Sequence, residues 1–139
     1  MYKKIATILL CFILSSCRKD DQNRIPEVYV DYTIPLVQFA QDNEQELLFV
    51  NAGLNTGVAG LIIYRLPNNT FVAYDRCSSV NPSQRCAVIR DDTNLFVVED
   101  PCSGAKFDLF DGSPVKAPAV RPLKQYQVIQ TQFNLTVRN

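Results

Sequence analysis

Asp100-Pro101-Cys102-Ser103-Gly104-Ala105-Lys106-Phe107-Asp108 is the stretch on which the fold of this chain turns. Pro101 and Gly104 punctuate a tight loop, Phe107 to Leu109 reads as a short strand, and Asp111-Gly112-Ser113-Pro114 closes it with a second turn. The same rhythm runs outward in both directions. Strands are expected at Val28 to Tyr32, Leu47 to Asn51, Leu61 to Leu66, Phe71 to Tyr74, Ala87 to Arg90, Leu95 to Glu99, Gln125 to Ile129 and Phe133 to Arg138. Turn residues separate nearly all of them, among them Gly53-Leu54-Asn55-Thr56-Gly57, Pro67-Asn68-Asn69 and Asp91-Asp92-Thr93-Asn94. No apolar pattern recurs at helical spacing over three turns. Only Leu36 to Glu44 offers a helical turn, with Val37, Phe39 and Ala40 to dock on a sheet. Regular short strands with such punctuation point to an all-β fold, a small antiparallel sandwich or barrel.

Composition removes many functions. The chain has 139 residues, five cysteines and no histidine, so a histidine-dependent triad is excluded. Ser103-Gly104 lacks the context of a nucleophile elbow. Asp91-Asp92 and Glu99-Asp100 are adjacent carboxylates that alternate across a strand or cap a turn, and a solvated hairpin tip accounts for them better than a shared catalytic site. Gly53 to Gly60 has neither a following lysine nor a helix, so it reads as a turn or bulge and not as a phosphate loop. The formal charge is zero, and no basic helix or aromatic-interleaved basic patch stands out, which argues against a nucleic-acid partner.

In order, these motifs resemble the Rieske iron-sulfur family. Phe71-Val72-Ala73-Tyr74-Asp75-Arg76-Cys77 is similar to the strand leading into the first cluster loop, where that family has Cys-x-His. Pro101-Cys102-Ser103-Gly104 falls where it has Cys-Pro-x-His-Gly, commonly Cys-Pro-Cys-His-Gly-Ser, and Phe107-Asp108 matches the aromatic and Asp that follow. The Gly112 turn, Pro118-Ala119, Pro122-Leu123 and Tyr126 resemble the return segment and last hairpin. The resemblance runs from about Leu61 to Arg138. It implies a Rieske-like domain over 28–139, with a cluster-loop-like region at 73–123.

The departures are as informative. A Rieske centre holds one iron by two thiolates and the other by two imidazoles. The degenerate cluster positions are Cys77, which could supply a first thiolate, then Ser79 at the first imidazole position, Asp100 at the second thiolate and Ser103 at the second imidazole. A serine hydroxyl is neutral and a poor donor to a soft metal, so neither a standard cluster nor any other cofactor is expected. The resemblance further implies a disulfide between Cys86 and Cys102, where cluster-bearing relatives tie their two loops together. Closing a loop of about 15 residues stabilises by roughly 3 kcal/mol in the chain-entropy description. The residues alone leave the pairing open, since Cys77 could join either partner. If Cys86 pairs with Cys102, Cys77 is left as a partly buried inert cysteine, or as a redox-active thiol beside Arg76. A metal site from Cys77, Cys86, Cys102 and Asp100 lacks finger-like Cys-x-x-Cys spacing.

At the other end of the chain, Met1 to Lys4 carry two lysines, Ile5 to Leu14 is an apolar run of signal-peptide length, and Leu14-Ser15-Ser16-Cys17 follows. The run is too short for a permanent bilayer span of about 20 residues. The Leu-Ser-Ser-Cys ending resembles a bacterial lipobox, which implies a signal peptide over 1–16, acylation of Cys17 and a flexible tether over 17–27. Loss of residues 1–16 removes Lys3 and Lys4, leaving 12 basic against 14 acidic residues and a charge near −2. A basic residue followed by Asp20 and Asp21 also resembles a surface-export signal of some Gram-negative lipoproteins. The expectation is therefore a protein of the bacterial envelope, anchored to the outer membrane through Cys17 on the periplasmic face or the cell surface. It is expected to be no enzyme but a structural or interaction module, with an envelope protein partner at the loop tip. The alternative is an iron-sulfur or thiol-disulfide electron-transfer protein with an atypical site.

Overall fold

A computed structural model describes residues 24–139. The expected signal peptide, the lipobox-like ending with Cys17 and most of the expected tether lie outside the described residues. Ten strands follow one another as β1 (Asp31–Pro35), β2 (Leu47–Asn51), β3 (Gly60–Arg65), β4 (Phe71–Asp75), β5 (Ile89–Arg90), β6 (Val97–Glu99), β7 (Lys106–Asp108), β8 (Pro114–Lys116), β9 (Gln125–Gln130) and β10 (Asn134–Arg138), with helix α1 (Leu36–Asp42) after β1. All pairings between them are antiparallel. The fold is all-β, as the turn-punctuated sequence led us to expect.

The strands form two sheets. The larger has the order β1-β10-β9-β4-β3-β2, and the smaller the order β5-β6-β7-β8. The whole small sheet is inserted between two hydrogen-bonded neighbours, β4 and β9, whose register pairs Ala73 with Tyr126 and Tyr74 with Gln125. This inserted unit is the cluster-loop-like subdomain. The large sheet curls: a bridge between Val30 and Thr56, and a bond from the Asp31 N–H to the Asn55 carbonyl, bring the start of β1 to the β2–β3 connection.

β3 explains the layering. Its run Leu61-Ile62-Ile63-Tyr64 is apolar at every position, which suits a strand covered on both faces. Because side chains alternate, Ile62 and Tyr64 join Leu47, Tyr74, Val88, Val98, Phe107, Leu109 and Leu123 in a core between the two sheets. Leu61 and Ile63 face the other way, into a second core with Val30, Ile34, Phe39, Tyr126, Leu135 and Val137 inside the curl.

Two expectations need correction. Phe39 is buried, packed edge-on against Phe71 with ring centroids 5.1 Å apart, but Val37 is 66% exposed and Ala40 is exposed too. A seven-residue helix presents too little of its circumference to bury all three. Strand β8 occupies Pro114–Lys116, at the end of what reads as a turn, because a proline is tolerated on the sheet edge where no partner needs its missing N–H. Phe107 is wholly buried between the sheets, so Phe107→Ala is expected to destabilise the domain by about 3–5 kcal/mol in denaturant unfolding.

Candidate functional site

The two loops of the inserted unit meet at one end of the molecule. The first leaves β4 at Arg76, contains a 3-10 turn at Pro82–Gln84, and returns to β5. It is zipped to itself by a bridge between Cys77 and Ala87, by a bond from the Ser78 N–H to the Cys86 carbonyl at 2.9 Å, and by one from the Val88 N–H to the Arg76 carbonyl at 2.7 Å. The second is the tight turn between β6 and β7, where the N–H groups of Ser103 and Gly104 both point at the Asp100 carbonyl. Gly104 has φ +74°, the left-handed conformation that glycine adopts without strain.

Asp100 joins the loops. It is only 2% exposed, and the hydroxyls of Ser78 and Ser103 both donate to its Oδ2 at 2.6 Å, while the Cys102 N–H donates to Oδ1 at 2.8 Å. Burial is the largest influence on its acidity and pushes the pKa up. The hydroxyls of Ser103 and Ser78 and the N–H groups of Cys102 and Ser103 together outweigh it, so the carboxyl stands below its ordinary 3.8. Next to it Cys86 and Cys102 are bonded, with an S–S distance of 1.98 Å, so a covalent tie and a hydrogen-bonded tie cross the same gap.

The other two degenerate positions lie apart from this pair of ties. Ser79 donates to the Arg121 carbonyl at 2.7 Å, linking the first loop to the return segment. Cys77 is a free, fully buried thiol whose Sγ has the carbonyls of Ser78 and Pro82 each at 3.7 Å. Burial pushes its pKa up to about 11, with Asp75 and Asp100 adding to the rise and Arg85 opposing it. Arg76 is turned elsewhere, toward Asn51, the Val88 carbonyl and the Phe49 ring.

Two residues of the site escape the sequence. Ser78, which the sequence reading passed over, is the first-loop residue that donates to Asp100. Asp75 is completely buried, taking bonds from the N–H groups of Val58, Ala59 and Cys77 and from the Tyr126 hydroxyl. A Cβ at Gly57 would stand 2.5 Å from the Asp75 Oδ2. A charged residue closing an apolar strand was the available signal. Asp91 is also no part of a solvated tip: its side chain is buried, bonded to Lys106, Thr93 and the Asn94 N–H, and Lys106 reaches Glu99 as well at 3.2 Å. Those bonds, the one from Lys106 first, hold Asp91 well below the usual carboxylate range.

The donor set does not fit a Rieske cluster. Ligand atoms of Cys86, Asp100 and Cys102 lie within 4.8 Å of one another, but both sulfurs are consumed in the disulfide and the carboxylate is engaged by three donors. No thiolate pair and no imidazole is available to either iron.

No family model matches the chain, and no curated protein does. Among solved structures, a crystal structure described as an NADH-dependent nitrite reductase small subunit from Mycobacterium tuberculosis is similar. It has 18% identity and a TM-score of 0.46 over 81% of this chain and 97% of that chain.

The acid dependence of stability follows from Asp100 and Asp91. Both are depressed in the folded state, so their contribution is full above the ordinary carboxylate pKa near 4 and is lost as pH falls through the lower folded values. Asp100→Asn is expected to lower stability at pH 7 by about 1–3 kcal/mol and to flatten the decline below pH 4, as read from urea midpoints across pH. Cys77 is expected to resist thiol reagents in the native protein and to react once the protein is unfolded in denaturant, which mass spectrometry reads directly.

Proposed function

We propose that this chain is a lipid-anchored protein of the bacterial envelope whose Rieske-like domain works without a cluster, as a non-enzymatic structural or interaction module. The observation that carries this reading is that Asp100, at a position where the resemblance would put a thiolate ligand, is instead buried and bonded to Ser78 across the loops, beside the Cys86–Cys102 disulfide. A disulfide persists in an oxidising compartment, which accords with export. The described residues contain no helix long and apolar enough to cross a membrane, and the lipobox-like Leu14-Ser15-Ser16-Cys17 supports attachment through a lipid at Cys17. One acyl chain holds only marginally and several hold stably.

The electron-transfer alternative needs either bound iron or an attacking thiolate. The donors for the first are spent, and the thiol for the second, Cys77, is buried with its pKa pushed up to about 11. Histidine-dependent acyl transfer has no base in this chain, and the buried carboxylates Asp75, Asp91 and Asp100 are each committed to several donors.

The test uses full-length protein expressed with export and recovered from membranes. The expected result is no stoichiometric iron, one titratable thiol after denaturation, and an acylated N-terminal cysteine; Cys17→Ser is expected to move the protein out of the lipid-anchored fraction. Stoichiometric iron would replace this reading with the electron-transfer one.

A further inference from the structure

Building on the lipid-anchor reading above, we propose that the end of the domain formed by loops 76–88 and 117–124 is a phospholipid-contacting face, with Val120 at its centre. The chain passes into the fold at this end. Ile25 is buried against Ala59 and Cys77, and the Lys124 Nζ holds the incoming segment through the Pro26 carbonyl at 3.0 Å and the Glu27 carboxylate at 2.8 Å. Only seven residue steps separate Cys17 from Arg24, so whatever path they take, Arg24 lies within about 24 Å of the acylated cysteine. The large sheet has its other end at the β3–β4 and β9–β10 hairpins, six residues along β3 and therefore about 20 Å further on.

The chemistry of the two ends differs in the same sense. A cleft of about 290 Å³ at the loop end is lined by Arg24, Arg121 and Lys124 together with Ser79, and Arg85 is exposed on the first loop. Glu27 is the one acidic residue lining that cleft, and it is paired with Lys124. Val120, which precedes Arg121 in the chain, has 84% of its surface exposed, the most of any large apolar side chain in the segment 117–124. The far end carries Glu44, Glu46 and, in the β5–β6 turn, Asp92, with Arg65 paired to Glu46 and Arg90 to Glu44. Cations around an apolar tip suit an anionic headgroup layer with the tip in the headgroup–acyl boundary, whereas the acidic far end is repelled by the same layer.

The protein contains no tryptophan, so a single introduced indole reports position. Full-length protein carrying Val120→Trp, or Phe133→Trp in the 69%-exposed β9–β10 turn as the far-end reference, is reconstituted into vesicles of phosphatidylcholine and phosphatidylglycerol with brominated acyl chains. The expected result is several-fold stronger quenching for Val120→Trp than for Phe133→Trp, falling in about 1 M salt, where screening acts within roughly 3 Å. Equal quenching, stronger quenching of the far-end indole, or none at either position overturns the proposal while leaving the anchor intact. The mass of the N-terminal peptide is read from the same samples. An unmodified Cys17 overturns the anchor and this inference together. A photo-cross-linker at position 120 that captures a protein and not lipid in native membranes also overturns it.

Discussion

The loop end of this protein depends on one buried carboxylate. Desolvation disfavours an ionised group strongly unless hydrogen bonds replace its hydration. Asp100 satisfies that demand only if both loops hold their places, because one hydroxyl comes from Ser78 in the first loop while Ser103 and the Cys102 N–H come from the second. The carboxylate and the Cys86–Cys102 disulfide thus hold the two loops at one and the same separation. No buried side-chain nitrogen or oxygen among the described residues is left without a partner, which is what an ionised interior of this kind requires.

Asp75 repeats the device one layer deeper. Its four donors come from the β2–β3 connection, from the backbone of Cys77 and from Tyr126 on β9, so the first loop is fastened to the large sheet by the same chemistry that fastens it to the second loop. Cys77 sits between the two carboxylates. Burial is the main reason its thiolate is unfavourable, and the neighbouring carboxylates add to it. Burial and Asp75 likewise raise the Tyr126 hydroxyl well above its ordinary pKa, so it remains a donor.

What the sequence made legible follows what is local. Turn residues and apolar runs located nine of the ten strands, because a strand boundary is set by its own glycines, prolines and asparagines. β8 was missed because three residues on a sheet edge bury almost nothing and leave no apolar pattern. The cluster positions were readable by order along the chain, but their roles were not. Whether Ser78 or Ser79 faces Asp100, and whether Asp91 is solvated or bonded to Lys106, is decided by which side of a loop faces the core, a non-local fact. Buried carboxylates are the residues that local reading handles worst: Asp91 read as turn punctuation, Asp75 as the end of a strand and Asp100 as a lost ligand position, and each is a structural hub.

The two ties between the loops answer to different conditions, and this bears on the kind of work the domain can do. A disulfide is indifferent to pH and yields to reductant; a carboxylate bonded to hydroxyls is indifferent to reductant and yields to acid. With both in place, the loop end keeps one shape across the range in which either alone would let it open. Ser79, bonded to the Arg121 carbonyl, extends this tied unit from the two loops to the return segment that carries Val120. Rigidity at that end lowers the ordering cost of any contact it makes, so a small area around Val120 and its neighbouring cations can bind usefully where a mobile loop of the same composition would not.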